Sequence, residues 1–108
     1  MEVEFDFLLQ NGFQMTKFIR PPEEEYVFCK DDCAIEIDIT GPYGFFEKYH
    51  REIDVILTIG DIRKNVLDWE SLFGDDKLCE LRETLSLQNQ DQLAIYSEFL
   101  KNNLAKYA

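Results

Sequence analysis

The sequence predicts an α+β fold: an antiparallel sheet of three to four strands, with one N-terminal helix and about three C-terminal helices packed on one face. Two patterns carry this prediction. Between Tyr26 and Ile59 apolar and polar side chains alternate, which is typical of strands that bury one face. After Gly60 apolar side chains recur every three or four residues, which is typical of amphipathic helices. Strands and helices in separate parts of a chain favour the α+β class.

The N-terminal part of the chain predicts a short helix and then a strand. Val3 to Gln10 is expected to be helical because the adjacent Leu8 and Leu9 interrupt its alternation. Asn11-Gly12 then provides a good helix stop. Phe13 to Ile19 returns to a strand pattern.

A charged connection and a hairpin follow. Arg20 to Glu25 contains two prolines and three glutamates, so it is expected to be an exposed connection. If Asp31 and Asp32 are the two turn residues of the hairpin, its register is fixed, because a slip of one residue would oppose apolar to charged side chains. The expected pairs are Lys30 with Cys33, Cys29 with Ala34, Phe28 with Ile35, Val27 with Glu36, and Tyr26 with Ile37.

A further strand, Glu52 to Ile59, brings four carboxylates together in this interpretation. Its alternate apolar residues complete the face that builds the core, which is expected to comprise Tyr26, Phe28, Ile35, Ile37, Ile53, Val55 and Leu57. If it pairs antiparallel with the preceding strand, the opposite face carries an acidic patch of Glu36, Asp38, Glu52 and Asp54. We expect the helices to cover the apolar face and to leave this patch to solvent or to a partner.

Three helices are predicted after Gly60. Their apolar stripes lie at helical spacing, and aspartates near their starts are potential N-caps. The first begins at Asp61 and ends at Gly74, the second begins near Asp75 or Asp76, and the third runs from Asp91 to Tyr107. The stripes are Ile62, Val66, Trp69 and Phe73; Leu78, Leu81 and Leu85; and Leu93, Tyr96, Leu100, Leu104 and Tyr107.

The composition limits the classes of partner. With 108 residues and 45% hydrophobic content, the chain is expected to form a single domain over residues 1–108. A formal net charge of -11 argues against binding to DNA, RNA or anionic membranes, which need clustered cations, and it favours a basic protein partner. Solubility alone is the alternative explanation of the charge. No apolar run approaches the roughly 20 residues that cross a bilayer.

The cysteines and the start of the chain predict a cytoplasmic location. Three cysteines, an odd number, and an acidic rather than a basic and apolar N-terminal segment are typical of a protein kept in a reducing compartment. A monomer or a weak homodimer is expected.

Candidate chemistry is weak, and we predict neither an enzyme nor a cofactor. Cys29, Cys33 and Cys79 lack the paired arms of a zinc site, and His50 is the sole histidine, without an identifiable nucleophile beside it. A metal-dependent hydrolase that uses Asp38, Glu52 and Asp54 is an alternative, since carboxylates on adjacent strands hold Mg²⁺ in many nucleases. The acidic surface would repel a nucleic-acid substrate, which counts against it.

An aromatic loop, Gly41 to His50, adds a second candidate surface. It contains Tyr43, Phe45 and Phe46, which either tuck into the core or anchor an interface. Opposed carboxylates across strands are destabilising unless a cation such as Lys48 or Arg51, or a basic partner, neutralises them. The predicted partner-binding residues are therefore Glu36, Asp38, Glu52, Asp54, Tyr43, Phe45 and Phe46.

The layout resembles that of a known type of protein. The segment FDFLLQNGF, the strand ending in Glu-Ile-Asp, the strand EIDVILTI and the closing YSEFLKNNLAKYA resemble small acidic bacterial immunity proteins, which are encoded beside toxins of interbacterial competition. The resemblance implies a cytoplasmic protein that blocks a cognate toxin, often a basic nuclease, through acidic surface residues, and it transfers no functional residue by position. A structural or adaptor subunit, dimerising through an edge strand or the aromatic loop, is a further alternative.

Overall fold

Five antiparallel strands form one sheet in the computed structural model, which describes residues 5–20, 23–40, 52–87 and 91–104. The strands follow one another across the sheet in chain order, so that each pairs with its sequence neighbour. They are β1 (Gln14–Arg20), β2 (Glu23–Lys30), β3 (Cys33–Thr40), β4 (Glu52–Ile59) and β5 (Ile62–Asn65). The α+β class is confirmed, but the sheet has five strands rather than three to four.

Four helices accompany the sheet within the described ranges. They are α1 (Asp6–Gln10), α2 (Glu70–Phe73), α3 (Asp75–Leu85) and α4 (Gln92–Asn103), and a turn of 3₁₀ helix at Val66–Asp68 precedes α2. Asp91 caps α4, because its side chain accepts a hydrogen bond from the backbone N–H of Ala94. None of these helices is long and apolar enough to span a bilayer.

The end of α1 follows the predicted stop signal. Gly12 takes a φ of +93°, in the left-handed region that glycine favours. The backbone N–H of Phe13 donates to Leu8 O at 3.0 Å and that of Gly12 donates to Leu9 O at 3.2 Å, which is the Schellman arrangement. Lys30 Nζ donates to Asn11 O at 2.7 Å, so this corner is also tied to β2.

The predicted register of the β2–β3 hairpin is confirmed at every expected pair, including Phe28 with Ile35 and Tyr26 with Ile37. Asp31 has a φ of +53° at the turn, a conformation that short polar side chains tolerate better than bulky ones do. The pairing of β3 with β4 is antiparallel, as the acidic patch requires.

The helix predicted to begin at Asp61 is wrong in its first part. Gly60, with a φ of +60°, and Asp61 form a two-residue turn, and Ile62 pairs back onto Ile59 as the first residue of β5. Residues four apart share a face in a strand as well as in a helix, so the spacing from Ile62 to Val66 did not distinguish the two. The described helices of this segment begin only at the 3₁₀ turn.

The predicted exposed connection over Arg20 to Glu25 is also wrong at its C-terminal end. Glu23, Glu24 and Glu25 form the start of β2, opposite Arg20, Ile19 and Phe18 of β1. Tyr26 Oη donates to Glu24 Oε1 at 2.8 Å, which offers this carboxylate a partner on the core side of the sheet. The alternation of side chains between the two faces of β2 therefore begins at the glutamates, before the first apolar residue of the strand.

The helices and one face of the sheet build a single core. The predicted core residues of the sheet are all buried: Tyr26, Phe28, Ile35, Ile37, Ile53, Val55 and Leu57. Apolar side chains of all four helices join the same cluster. Trp69 is 5% exposed, and its Nε1 donates to Leu57 O at 2.9 Å, which fastens the segment before α2 to the sheet.

Candidate functional site

The sheet face opposite the core is open within the described part of the chain. Because side chains alternate along strands, every second residue of β1 to β5 points away from the helices. None of these side chains is buried: each is either half-buried or exposed. A face of this kind can serve as a docking surface only if its chemistry is distinctive, and here the charge is.

Three carboxylates lie side by side across three neighbouring strands of this face. Glu25 of β2 pairs with Asp38 of β3, which in turn pairs with Asp54 of β4. We call Glu25, Asp38 and Asp54 the acidic row. Glu52 lies two residues along β4 from the row and Glu36 two residues along β3, so the four predicted patch residues share one face of adjacent strands.

The register sets how close these carboxylates are. The two-residue turn after Lys30 makes Lys30 and Cys33 a hydrogen-bonded pair, and alternation from there makes Glu25 and Asp38 a non-hydrogen-bonded pair. Such pairs have Cα atoms about 4.5 Å apart, against about 5.5 Å in hydrogen-bonded pairs. The side chains of Glu25 and Asp38 are therefore closer together than those of the hydrogen-bonded pairs in this ladder.

The electrostatics of Asp38 reflect this crowding. Partial burial is the largest cause that raises the pKa of the Asp38 carboxyl above its ordinary value. The charges of Glu25, Glu36 and Asp54 raise this pKa further, whereas Arg63 acts in the opposite direction. In the isolated protein, the ionised form of Asp38 is thus disfavoured by the face on which it lies.

One carboxylate of the predicted patch is neutralised within the fold. Arg63 of β5 reaches across β4 to Glu36 of β3, with 2.7 Å between Nη2 and Oε2 and 3.1 Å between Nε and the same oxygen. The cation expected over the patch was Lys48 or Arg51, and both lie outside the described residues. Because Glu36 has this partner, the acidic row and Glu52 carry the excess negative charge.

The row continues at one end into an exposed aromatic side chain. Phe18 of β1 pairs with Glu25 and is 50% exposed. Beside it lies a depression of about 280 Å³, lined by Phe18, Arg20, Glu23 and Glu25. An aromatic ring next to carboxylates suits a lysine or arginine side chain, whose aliphatic stem covers the ring while its charge meets the carboxylates.

At its other end the row approaches α4. Burial raises the pKa of Tyr96 on this helix to about 12, and the charge of Asp54 adds to the rise. The Tyr96 phenol is therefore neutral at physiological pH and adds no charge to the face. Asp54 itself is exposed, so it is available to a partner.

The described residues offer little to nucleophilic or metal chemistry. Cys29 is exposed on the acidic face and Cys33 is buried on the opposite one, as the register predicts. Burial raises the pKa of the Cys33 thiol, and the charge of Asp32 adds to the rise, so the reactive thiolate is disfavoured. No three metal-ligating side chains of the described ranges converge on one point. His50 lies outside those ranges.

A larger depression, of about 510 Å³, lies elsewhere, between α3 and α4. Its walls are the apolar Leu81, Ile95 and Phe99, and its rim mixes Lys77 with Glu80 and Glu98. The rim carries both signs of charge. It is therefore a weaker candidate than the acidic face for recognising a charged partner.

The structure extends the predicted site in one direction and leaves part of it undescribed. Glu25 and Phe18 belong to the face but were not predicted, because the glutamate run was interpreted as a connection. One signal could have shown that β2 begins at the glutamates. The strand alternation extends back from the apolar residues, so that one face carries Glu23, Glu25 and Val27 and the other carries Glu24, Tyr26 and Phe28. Tyr43, Phe45 and Phe46 of the aromatic loop lie outside the described residues.

Neutralising Asp38 is expected to stabilise the isolated protein. Since the folded pKa of Asp38 is raised, the folded state holds this proton more tightly than the unfolded state, and ionisation above that pKa lowers the free energy of unfolding. Asp38→Asn should raise this free energy by about 0.5 kcal/mol at neutral pH, a low value because water and salt screen half-buried charges.

Urea unfolding at a series of pH values checks this prediction. The advantage of Asp38→Asn should be greatest at neutral pH and should shrink as the pH falls into the range where wild-type Asp38 binds its proton. Glu83→Asn, an exposed carboxylate of α3, is the control. An advantage that does not depend on pH would contradict the electrostatic explanation.

Comparison with protein-family models, curated proteins and solved structures returned no match to this chain.

Proposed function

We propose that this protein is a non-enzymatic binding protein that uses its acidic face to occupy a basic protein partner, as an immunity protein does when it neutralises a toxin. The observation that carries the proposal is the acidic row. Opposed carboxylates on adjacent strands destabilise a sheet, and the core does not need them, because it is built from the other face. Residues that lower stability without serving the fold are commonly retained for function.

The charge of the whole chain supports the same conclusion. With a formal net charge of -11, the protein attracts cationic surfaces over a Debye length and speeds their encounter. Close contact then needs side chains that exclude water, and the exposed Phe18 at the end of the row supplies one. A basic toxin brings the cations that the acidic row lacks within the described part of the fold.

The resemblance to immunity proteins makes the proposal testable in cells. The product of the reading frame adjacent to this one should arrest growth when it is expressed alone, and co-expression of this protein should restore growth. The purified pair should form a complex whose association slows as salt rises.

Two variants sharpen this experiment. Asp38→Asn with Asp54→Asn should rescue growth less well, whereas Glu80→Gln with Glu83→Gln, which removes the same charge from α3, should rescue fully. Full rescue by the first pair would show that the acidic row is not the binding surface. A harmless neighbouring product, or no rescue by the wild-type chain, would contradict the immunity role.

A further inference from the structure

Among the described residues, the sheet has one edge that no strand covers, and this edge adjoins the acidic row. Within the described ranges no strand pairs with the outer side of β1, whose seven residues include no proline. All of them except the half-buried Met15 are exposed. Proteins ordinarily protect such an edge, because its backbone groups can pair with another strand.

The other edge is protected, so the openness of β1 is a local feature. There the last strand, β5, is four residues long and carries Arg63 and Lys64. α4 contacts β4, the strand next to β5, and its Tyr96 lies near enough to feel the charge of Asp54 on the part of β4 that β5 does not pair with. Short charged strands and covering helices are the usual means of blocking edge pairing.

The register shows which backbone groups of β1 face outward. The backbone groups of Lys30, Phe28 and Tyr26 hydrogen-bond towards β3, so those of the alternate residues bond towards β1, namely Cys29, Val27 and Glu25. Their partners on β1 are Gln14, Thr16 and Phe18. The residues of β1 that alternate with these three, Met15 and Ile19 among them, therefore direct their N–H and C=O groups away from the sheet.

The charges at this edge indicate what kind of strand fits it. β1 carries Lys17 and Arg20 and no carboxylate, so a fully overlapped antiparallel second copy would set Lys17 against Lys17 and join two chains of net charge -11. A strand bearing cations on alternate positions would instead place them on the face of Glu23 and Glu25, whose two carboxylates outnumber Arg20, the one cation of β1 on that face.

The fold contains an example of the contact that such a strand would make. Arg63 reaches from β5 over the intervening β4 to Glu36, at 2.7 Å. If a strand were added outside β1, an arginine on it could reach Glu25 in the same way, across one intervening strand, β1. The depression lined by Phe18, Arg20, Glu23 and Glu25 lies along that path.

We propose that the partner adds an extended strand to the outer edge of β1 and directs alternate arginine or lysine side chains over Phe18 towards Glu25. This inference rests on the proposed function, since it assumes a basic protein partner. Beyond that function, we infer that backbone hydrogen bonds to β1 stabilise the complex together with the charge interactions.

Peptide binding tests the inference without knowledge of the partner. The probe is a capped eight-residue peptide of alternating threonine and arginine, titrated into the full chain and followed by NMR. We expect chemical-shift changes and protection from hydrogen exchange at the amides of Met15 and Ile19. The same peptide with N-methylated threonines keeps its charge but loses the donors, and it should bind about tenfold more weakly, as the loss of about two hydrogen bonds implies.

A matched pair of variants tests the protein side. Ile19→Pro removes one N–H that faces away from β2, whereas Ile19→Ala keeps it, so only the proline variant should lose about threefold in peptide affinity, as the loss of one hydrogen bond implies. Should the proline variant misfold, the comparison of the two peptides on the wild-type chain still decides.

Two outcomes would overturn the strand addition. If the N-methylated and unmethylated peptides bind equally well while a threonine–glutamate peptide does not bind, charge alone acts and the proposed function stands without edge pairing. If sedimentation shows that the wild-type chain dimerises and Ile19→Pro does not, the edge belongs to a second copy. Failure of the growth rescue, by contrast, would refute the function whatever the peptides do.

Discussion

Changing both Asp38 and Asp54 to lysine is expected to weaken binding to the proposed basic partner about 100-fold. Both side chains lie in the acidic row, and reversal replaces attraction to a cation by repulsion at the centre of the contact. Removing one member of an interfacial charge pair costs about 2 kcal/mol or more, and each 1.4 kcal/mol is tenfold in affinity. We use the low end of this range for the two substitutions together, because Asp38 is only half-buried and Asp54 is exposed, and water weakens the charge pairs of such side chains.

Calorimetry at two salt concentrations measures this effect. The control is Glu80→Lys with Glu83→Lys, which changes the net charge equally on the distant helix α3. That control should slow association modestly and leave most of the affinity intact, because long-range steering mainly affects the on-rate. Equal losses in the two double variants would mean that net charge, not the position of the row, determines binding.

Replacing Trp69 with alanine is expected to lower the free energy of unfolding by about 4 kcal/mol, in the range for large aromatic side chains of the core. Its ring is buried between the sheet and the helical segment, and its Nε1 hydrogen bond to Leu57 O disappears as well. Trp69→Phe keeps most of the apolar contact and loses the hydrogen bond, so an intermediate loss of about 1 to 2 kcal/mol is expected.

Chemical denaturation of purified variants measures these losses. Phe18→Ala is the control, because an aromatic side chain that is half exposed should contribute less than about 0.5 kcal/mol to stability. If Trp69→Ala unfolds at the same denaturant concentration as Phe18→Ala, the packing of the segment before α2 onto β4 is not as described.

The central hairpin could be predicted because several independent signals agree there. Alternation fixed which residues share a face, and the Asp31-Asp32 turn fixed which of them are opposite each other. A wrong register would have placed charged side chains in the core. Because burying an unpaired charge costs much free energy, the pattern allows only one register. The core of the sheet followed directly from the same reasoning.

Elements without that redundancy were mispredicted. β5 is four residues long, and its apolar Ile62 stands four residues before Val66, a spacing that fits a strand and a helix equally. The turn residue Gly60, with its positive φ, was the discriminating signal, and it was interpreted as the end of a strand rather than as a reversal. Arg63, the internal partner of Glu36, was missed for the same reason.

The acidic patch was predictable in outline but not in its boundaries. Asp38 and Asp54 lie on one face as expected, but Glu25, which pairs with Asp38 from the other side, belongs to a glutamate run whose local composition favours a loop. Glu25 lies in β2 because this segment pairs with β1 and β3, although its composition favours a loop. Which charge is neutralised inside the fold also depends on β5, because Arg63 reaches Glu36 across an intervening strand.

If the proposed function holds, the acidic row lowers the stability of the isolated protein and raises that of the proposed complex. Denaturant unfolding of the wild-type chain and of Asp38→Asn with Asp54→Asn, each with and without saturating partner, tests it most directly. We predict that the double variant is the more stable protein alone and the less stable one in the complex. The same order of stability in both conditions would contradict the claim.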